Sequence, residues 1–375
     1  MLKSGILGGG QLGRMLLQAA ANYPVTTYVM ENSEDCPSAH LCHHFVLGDI
    51  SDFEDVYNFG KHLDAITIEI ESVNAEALQR LESEGVKVYP SSSALITLKN
   101  KILQKQFYST NGIPTAAFHV TNNISELREH RDFLPAVHKV SKGGFDGRGV
   151  ISINSEAELA KGFDCPAVLE KKVEISKEIA VIIAVGNNGQ IAIYPPVEMI
   201  FDPDINILNY QLCPALLNEK TQLKIEAIAH KVVTELSSPG IFAVELFIGR
   251  DDNIWVNETA PRVHNSGHHT IEGCYSSQFD MLWRVLLEYP LGNTKTILPS
   301  AMVNIVGQAD HFGAARYEGL NNVLKLENVF VHIYGKKETA PGRKMGHATI
   351  LSNERQELVH TAMKVKHELT VTSRS

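Results

Sequence analysis

Ile241-Phe242-Ala243-Val244-Glu245-Leu246-Phe247-Ile248-Gly249-Arg250-Asp251-Asp252-Asn253-Ile254-Trp255-Val256-Asn257-Glu258 reads as two apolar runs joined by a polar turn, the pattern of a β-hairpin. With Asp251 and Asp252 as a two-residue loop, counting outward sets Glu245 directly opposite Glu258. Directly opposed side chains share one sheet face with Cβ atoms about 4.5–5.5 Å apart, where like charges repel. A hard divalent cation would account for the pair, because Mg²⁺ takes carboxylate oxygens and completes its shell with phosphates. Asn257 and Asn265 offer neutral oxygens nearby. A register shifted by one residue would instead turn the two glutamates to opposite faces, with no metal implied.

Outward from this hairpin, strand-like and helix-like segments alternate. Residues 4–8 read as a short buried strand, 12–22 as a helix, and 25–30 and 65–69 as further strands, which predicts a parallel sheet. Tyr89-Pro90-Ser91-Ser92-Ser93 marks a boundary. A helix is expected over 94–111, closed by Gly112 and Pro114. Strands at 136–140 and 149–153 flank Gly143-Gly144-Phe145-Asp146-Gly147-Arg148-Gly149, and further strands fall at 168–170 and 178–185. A helix at 219–236 precedes the hairpin, another at 278–287 follows it, and the remainder is strand-rich, with no internal repeat.

Two glycine-rich segments suggest phosphate chemistry. Gly8-x-Gly10-x-x-Gly13 follows a strand and opens a helix, so its amides and helix N-terminus form an anion site. The spacing also fits a dinucleotide fingerprint, with Glu31 near the position of a ribose-binding acid, which keeps a nicotinamide oxidoreductase as a rival. The alternative is a tight turn that needs glycine for close helix packing. The second segment, 143–149, joins two strands, and its amides can close over phosphates, with Lys139 on the strand leading in and Arg148 inside. Read blandly, it is a surface hairpin. After the carboxylate hairpin come Arg262, His264, Asn265, His268 and His269, a pocket suited to a small anion such as bicarbonate. Zinc is disfavoured there, because a third ligand is missing and Pro261 and Gly267 argue against a helix. Arg343, Lys344 and His347 form a second cationic cluster, either a solvated loop or a further anion site.

The 375 residues suggest two to three domains, and an apolar fraction of 44% is enough for packed cores. A net charge of −9 without a basic block argues against a nucleic-acid partner. Five widely spaced cysteines without a C-x-x-C predict neither disulfides nor a cysteine zinc site, and the cytosol is the expected compartment. No signal peptide is expected, since Gly8-Gly9-Gly10-Gln11 and Arg14 interrupt the apolar N-terminus, and no run is long enough to span a bilayer.

Three motifs in order carry a resemblance over essentially the whole chain: Gly8-Gly9-Gly10-Gln11-Leu12-Gly13, the run from Asn257 to His268, and Gly342-Arg343-Lys344-Met345-Gly346-His347. Together they resemble the 5-(carboxyamino)imidazole ribonucleotide synthase family of the ATP-grasp superfamily. Gln11 and the Arg-Lys-Met-Gly-His run favour that family over the formate-dependent glycinamide ribonucleotide formyltransferases of similar fold. The resemblance implies a mixed α/β (α+β) ATP-grasp fold in three parts. These are an N-terminal Rossmann-like parallel-sheet domain (1–93), an ATP-grasp domain (94–295; small lobe 112–175, large lobe 176–295) and a small β-rich C-terminal domain (296–375). It also implies a homodimer that uses ATP and Mg²⁺ to carboxylate aminoimidazole ribonucleotide with bicarbonate. An ATP-grasp ligase for another amine or carboxylate, and a nucleotide-binding protein without turnover, stand as alternatives.

Carried over residue by residue, the resemblance places Lys101 and Lys139 at the ATP phosphates and Gly144, Phe145, Asp146, Gly147, Arg148 and Gly149 in a flap over the triphosphate. Glu170, Lys171 and Val173 fall at the adenine, Glu178 at the ribose, and Asn257 beside the Mg²⁺ ligands Glu245 and Glu258. Arg262, His264 and Asn265 fall at bicarbonate and carboxyphosphate, with Asp146 as a candidate base. Gly10, Gln11, Leu12, Glu69, Arg148, Lys336, Arg343 and Lys344 fall at the ribonucleotide, with Asp146 close to it. The chain departs from the family pattern at Lys101, Phe145, Met199, Phe201 and Val263, where arginine, tyrosine, asparagine, histidine and proline are common.

Overall fold

A computed structural model describes residues 1–143, 149–201 and 208–373. At the N-terminus five parallel strands lie in the order His44–Leu47, Val25–Glu31, Leu2–Leu7, Ala65–Ile68, Lys87–Tyr89. Ile6, Leu7, Ile66 and Ile68 are completely buried, as a parallel sheet covered on both faces requires. The helix Gln11–Ala20 packs on the helix Gln278–Leu286, where the Trp283 indole N–H donates to the Leu16 carbonyl at 2.7 Å.

The predicted helix over 94–111 is two helices, Ser92–Leu98 and Lys101–Thr110. Asn100 breaks it, because its side-chain oxygen accepts from the Ile102 and Leu103 amides and starts a new N-terminus. A four-stranded antiparallel sheet follows, ordered Phe118–Thr121, Ala167–Lys171, Ala136–Val140, Val150–Ile153.

The largest sheet runs Ile254–Ala260, Gly240–Gly249, Ile175–Val185, Val197–Phe201, Leu208–Cys213, Ser300–Val306, Lys344–Leu351, Val329–Ile333, with Ile191–Ile193 attached beside Ile175–Val185. The helix Glu219–Leu236 covers one face through Ile225, Ala229, Val232 and Val233. Leu208–Cys213 pairs with Ser300–Val306, so hydrogen bonding is continuous from the central region into the C-terminal one. Helix Arg355–Glu368 packs there on Leu212, Val303 and Ile350.

Glu245 does lie opposite Glu258, by a different route from the one counted. The turn has three residues, since the Gly249 amide donates to the Asn253 carbonyl at 2.8 Å and Asp252 takes a left-handed φ of 59°. That turn alone would pair Glu245 with Asn257. An irregularity between Glu245 and Leu246 restores the register, because Leu246 faces Val256 and Asn257 is the extra residue. The bulge brings both Asn257 and Glu258 to the Glu245 face, where strict alternation would allow only one.

Candidate functional site

The hairpin, the helix Lys101–Thr110 and the four-stranded sheet converge on a network of charged side chains. Lys101, in the first turn of its helix, places Nζ 2.7 Å from Glu258 Oε2. Lys139 reaches across from the smaller sheet to Asn257 Oδ1 at 2.8 Å and Glu170 Oε1 at 3.1 Å. Asn257 Nδ2 is 3.5 Å from Glu245 Oε2, and His264 Nε2 is 3.7 Å from Glu245 Oε1. The helix is fastened to the hairpin from below. Gln104 Oε1 accepts from the Thr259 amide at 3.0 Å, and the Tyr108 hydroxyl donates to Thr259 Oγ1 at 2.7 Å.

Acidic groups crowd this face. Burial, then the neighbouring Glu258 and Glu178, push the Glu245 carboxyl up, whereas Lys101 holds Glu258 well below the usual carboxylate range. Burial raises Glu178 to about 7, against the pull of Lys139. Burial alone would also raise Glu170, but Lys139 and Lys105 outweigh it and hold it low. A divalent cation fits this donor set: two opposed carboxylates whose mutual repulsion it would relieve, with an amide side chain beside them. Among the described residues no group of three or more His, Cys, Asp or Glu is arranged to hold a metal.

Lys105 escaped the sequence reading. It is 3% exposed, bonds Thr115 Oγ1 at 2.7 Å and pairs with Glu170 at 3.0 Å, and burial lowers its ammonium to about 8. Its signal was the spacing of four from Lys101, which sets both on one helix face. Glu71 was also missed as a site residue. It pairs with Arg262 Nε at 2.9 Å, tying the basic turn to the end of the N-terminal sheet.

The other expected residues fall in several places. Lys171 turns from the network, donating to the Phe133 and Leu134 carbonyls, and Val173 lies just beyond its strand. Gly144, Phe145, Asp146, Gly147 and Arg148 lie outside the described residues, and the Gly149 carbonyl accepts from the Val140 N–H at 2.9 Å. Arg262 Nη1 donates to the Val263 carbonyl, and Asn265 opens a short 3-10 turn.

At the N-terminus the amides read as an anion site already hold an anion of the chain itself. Glu69 accepts from Gly10 N–H at 2.5 Å and Leu12 N–H at 3.0 Å, and Glu31 accepts from Gly9 N–H at 2.9 Å. The glycine turn is thus closed internally, and Glu31 is committed to it rather than to a dinucleotide ribose. Gln11 begins the helix above it.

The second cationic cluster divides. Arg343 is at the surface, bonding the Glu338 carbonyl, and Lys336 Nζ donates to the Lys344 carbonyl at 2.8 Å. His347 instead is fully buried, stacked on His332 with its Nδ1 3.0 Å from the Tyr334 hydroxyl, and burial holds it far below the ordinary imidazole value. It is a neutral core histidine and not a surface cation. A Cβ at Gly346 would lie 2.5 Å from the His332 carbonyl, so this glycine lets the adjacent strand approach closely. Gly335 lies beside Arg14, which brings this segment against the N-terminal helix.

Comparison with known proteins gives matches along the chain. Residues 1–99 match the ribonucleotide synthetase preATP-grasp domain, 106–279 the ATP-grasp domain, and 300–361 the phosphoribosylaminoimidazole carboxylase C-terminal domain. The chloroplastic phosphoribosylaminoimidazole carboxylase of Vigna aconitifolia is 35% identical over 93% of the chain, and the chain spans 64% of its length. The N5-carboxyaminoimidazole ribonucleotide synthase of Synechococcus elongatus is 33% identical over 92% of the chain and 88% of its own length. Among solved structures, the N5-carboxyaminoimidazole ribonucleotide synthetase of Thermotoga maritima superposes with a TM-score of 0.91 at 35% identity, over 100% of both chains. The Aspergillus clavatus N5-carboxyaminoimidazole synthase, in complex with ADP and 5-aminoimidazole ribonucleotide, gives 0.88 at 32% identity, over 98% of both.

Proposed function

The chain belongs to the N5-carboxyaminoimidazole ribonucleotide synthase family of ATP-grasp enzymes, and on that premise we propose that it carboxylates 5-aminoimidazole ribonucleotide. ATP and bicarbonate are the co-substrates, and the products are N5-carboxyaminoimidazole ribonucleotide, ADP and phosphate, a step of purine biosynthesis. The observation that carries this reading is the face on which Glu245, Asn257 and Glu258 meet Lys101 and Lys139, with the Arg262–His264 turn at its edge. It offers carboxylates for a metal, cations for phosphates, and an adjoining basic pocket for a small anion.

In this reading bicarbonate oxygen attacks the γ-phosphorus and ADP leaves, forming carboxyphosphate. Phosphoryl transfer needs chiefly positioning and charge stabilisation. Mg²⁺ held by Glu245 and Glu258 would supply charge neutralisation between the phosphates. Lys101 and Lys139 exchange their protein partners for phosphate oxygens. Arg262, His264 and Asn265 hold the carboxylate end of the intermediate. The substrate amine then attacks the carboxyl carbon, phosphate departs, and the amine proton passes to Asp146 or to that phosphate. Closure of the segment 144–149 would keep water from the intermediate. Glu69 and Gln11 are assigned to the ribonucleotide because the carboxyl ends of parallel strands favour ligands there, and Lys336, Arg343 and Lys344 are assigned to it from the family resemblance.

A homodimer is part of the proposal, from family resemblance, and light scattering that gives the mass of a single chain would remove it. A cytosolic location is supported by the free thiols of all five cysteines, and no helix among the described residues is long and apolar enough to cross a membrane. Secretion of the expressed protein would contradict this assignment.

The deciding experiment is ADP release by purified protein with Mg-ATP and bicarbonate, with and without 5-aminoimidazole ribonucleotide. Strong stimulation with loss of the free amine is expected. ATP binding without stimulation would reject this substrate and leave a ligase for another amine or acid.

A further inference from the structure

The turn that carries Arg262, His264 and Asn265 is irregular backbone next to a reaction centre, so something must fix its shape. Gln278 opens the helix Gln278–Leu286 and is fully buried. Its Oε1 accepts from the His264 N–H at 2.9 Å, and its Nε2 donates to the His264 carbonyl at 2.7 Å. One side-chain amide thus serves both backbone groups of a single residue, as a neighbouring strand would. The second Nε2 proton points to His268 Nδ1 at 3.3 Å. Every bonding direction that sets the amide's orientation is taken, so a flipped amide would set donor against donor at the His264 N–H.

The rest of the turn is held in kind. The Gln278 backbone N–H donates to Thr270 Oγ1 at 2.9 Å, and the Thr270 hydroxyl donates to the Gly267 carbonyl. A Cβ at Gly267 would lie 2.4 Å from Gln278 Oε1, so only glycine lets the side chain reach its place. From the other side Gln211, also buried, donates to the Ser266 carbonyl at 2.8 Å. Neither glutamine carries charge, and nothing in the resemblance or in the proposed mechanism assigned a role to either.

We propose that Gln278, with Gln211 opposite it, is a positioning residue that holds the His264 backbone so that the Arg262–Asn265 turn binds bicarbonate and retains carboxyphosphate. The inference rests on the function proposed above. A buried amide that loses a partner costs more than the bond itself, so a change here should displace the turn rather than merely loosen it. Gln278→Glu keeps the acceptor for the His264 N–H and loses the donors. Gln278→Met keeps the volume and loses both. Gln211→Met removes the opposite support.

The test measures KM for bicarbonate, KM for ATP, kcat, and the ratio of ADP released to ribonucleotide carboxylated, for wild type and the three variants. Mg-ADP affinity and thermal melting report the fold, and Gln278→Glu and Gln211→Met carry the test if Gln278→Met does not fold. KM for bicarbonate is expected to rise about tenfold in Gln278→Met and less in Gln278→Glu, where one bond survives. The ADP ratio should exceed one as intermediate is lost to water, with KM for ATP unchanged. Folded variants that lose kcat alone, with bicarbonate KM and coupling as in wild type, would assign Gln278 a structural role and overturn the inference. Wild type that releases ADP without dependence on bicarbonate would overturn the proposed function and this inference together.

Discussion

Lys105 and Glu170 show what burial does to a pair of charges that the sequence presents as unremarkable. A lysine four residues after another reads equally as solvated, and its burial depends on Thr115 and the strand Ile254–Ala260 closing over it, which no local pattern reports. Lys105 gives Glu170 a permanent partner, which leaves Lys139 able to exchange Glu170 for a phosphate. Lys105→Met should therefore lower stability by about 3 kcal/mol, since breaking a buried pair strands the remaining charge. Urea unfolding measures this, and adding Glu170→Gln should recover most of the loss. A Lys105→Met protein as stable as wild type would show Glu170 to be sufficiently held by Lys139 alone. Glu178 gives a pH signature of opposite origin, with burial raising its carboxyl from 4.5 to about 7. The folded chain therefore keeps a proton that the unfolded chain releases between these values, so this contribution to stability falls as pH rises from 4.5 to about 7 and is level above. Unfolding midpoints across that window should slope less in Glu178→Gln than in wild type. Equal slopes would mean that Glu178 ionises at its ordinary value in the fold.

At the scale of elements, strong periodicity was legible and its interruptions were not. The helix Glu219–Leu236 has the predicted bounds, because Asn218 caps it and its apolar face repeats without a break. The split at Asn100 went unseen because capping by asparagine competes with helix continuation, and only the surrounding strands decide between them. The paired glutamates were legible for a reason that was partly wrong, since a longer turn and a bulge at Asn257 offset each other. The basic turn was legible as chemistry, but Gln278 and Gln211, which shape it, are uncharged and distant in sequence. Asn100 has a functional consequence, because the helix it starts carries Lys101 in its first turn. Asn100→Ala should cost about 1 kcal/mol of stability. It should also raise KM for ATP, as Lys101 is held less firmly against the hairpin. Steady-state kinetics beside urea unfolding would check both, and an unchanged KM would mean that the Gln104 and Tyr108 bonds to Thr259 suffice to place the helix.

Over the whole molecule, the sequence supports three parts and the sheet joins two of them. A boundary near residue 295 follows from the resemblance, yet Ser300–Val306 continues the hydrogen bonding of Leu208–Cys213, and Leu212 belongs to the same apolar core as Val303, Ile350 and Leu358. Long-range pairing of this kind is invisible to local pattern, since either strand reads the same at an edge or in the middle. Side-chain contacts cross the same junction: His332 bonds Glu272 at 2.7 Å, and His347 lies against His268 with ring centroids 4.7 Å apart. A chain cut after residue 295 would leave Leu208–Cys213 as a bare edge and Leu212 in water, with the Glu272 carboxylate stripped of its imidazole. Exposed edges of this kind recruit other chains. The cut chain should accordingly aggregate or lose cooperative unfolding, although it keeps every residue assigned to ATP. Size-exclusion chromatography with urea unfolding would decide it. A soluble 1–295 fragment that unfolds cooperatively and binds Mg-ADP would show that the C-terminal strands extend an already stable lobe, and that the continuous sheet serves the ribonucleotide end of the site alone.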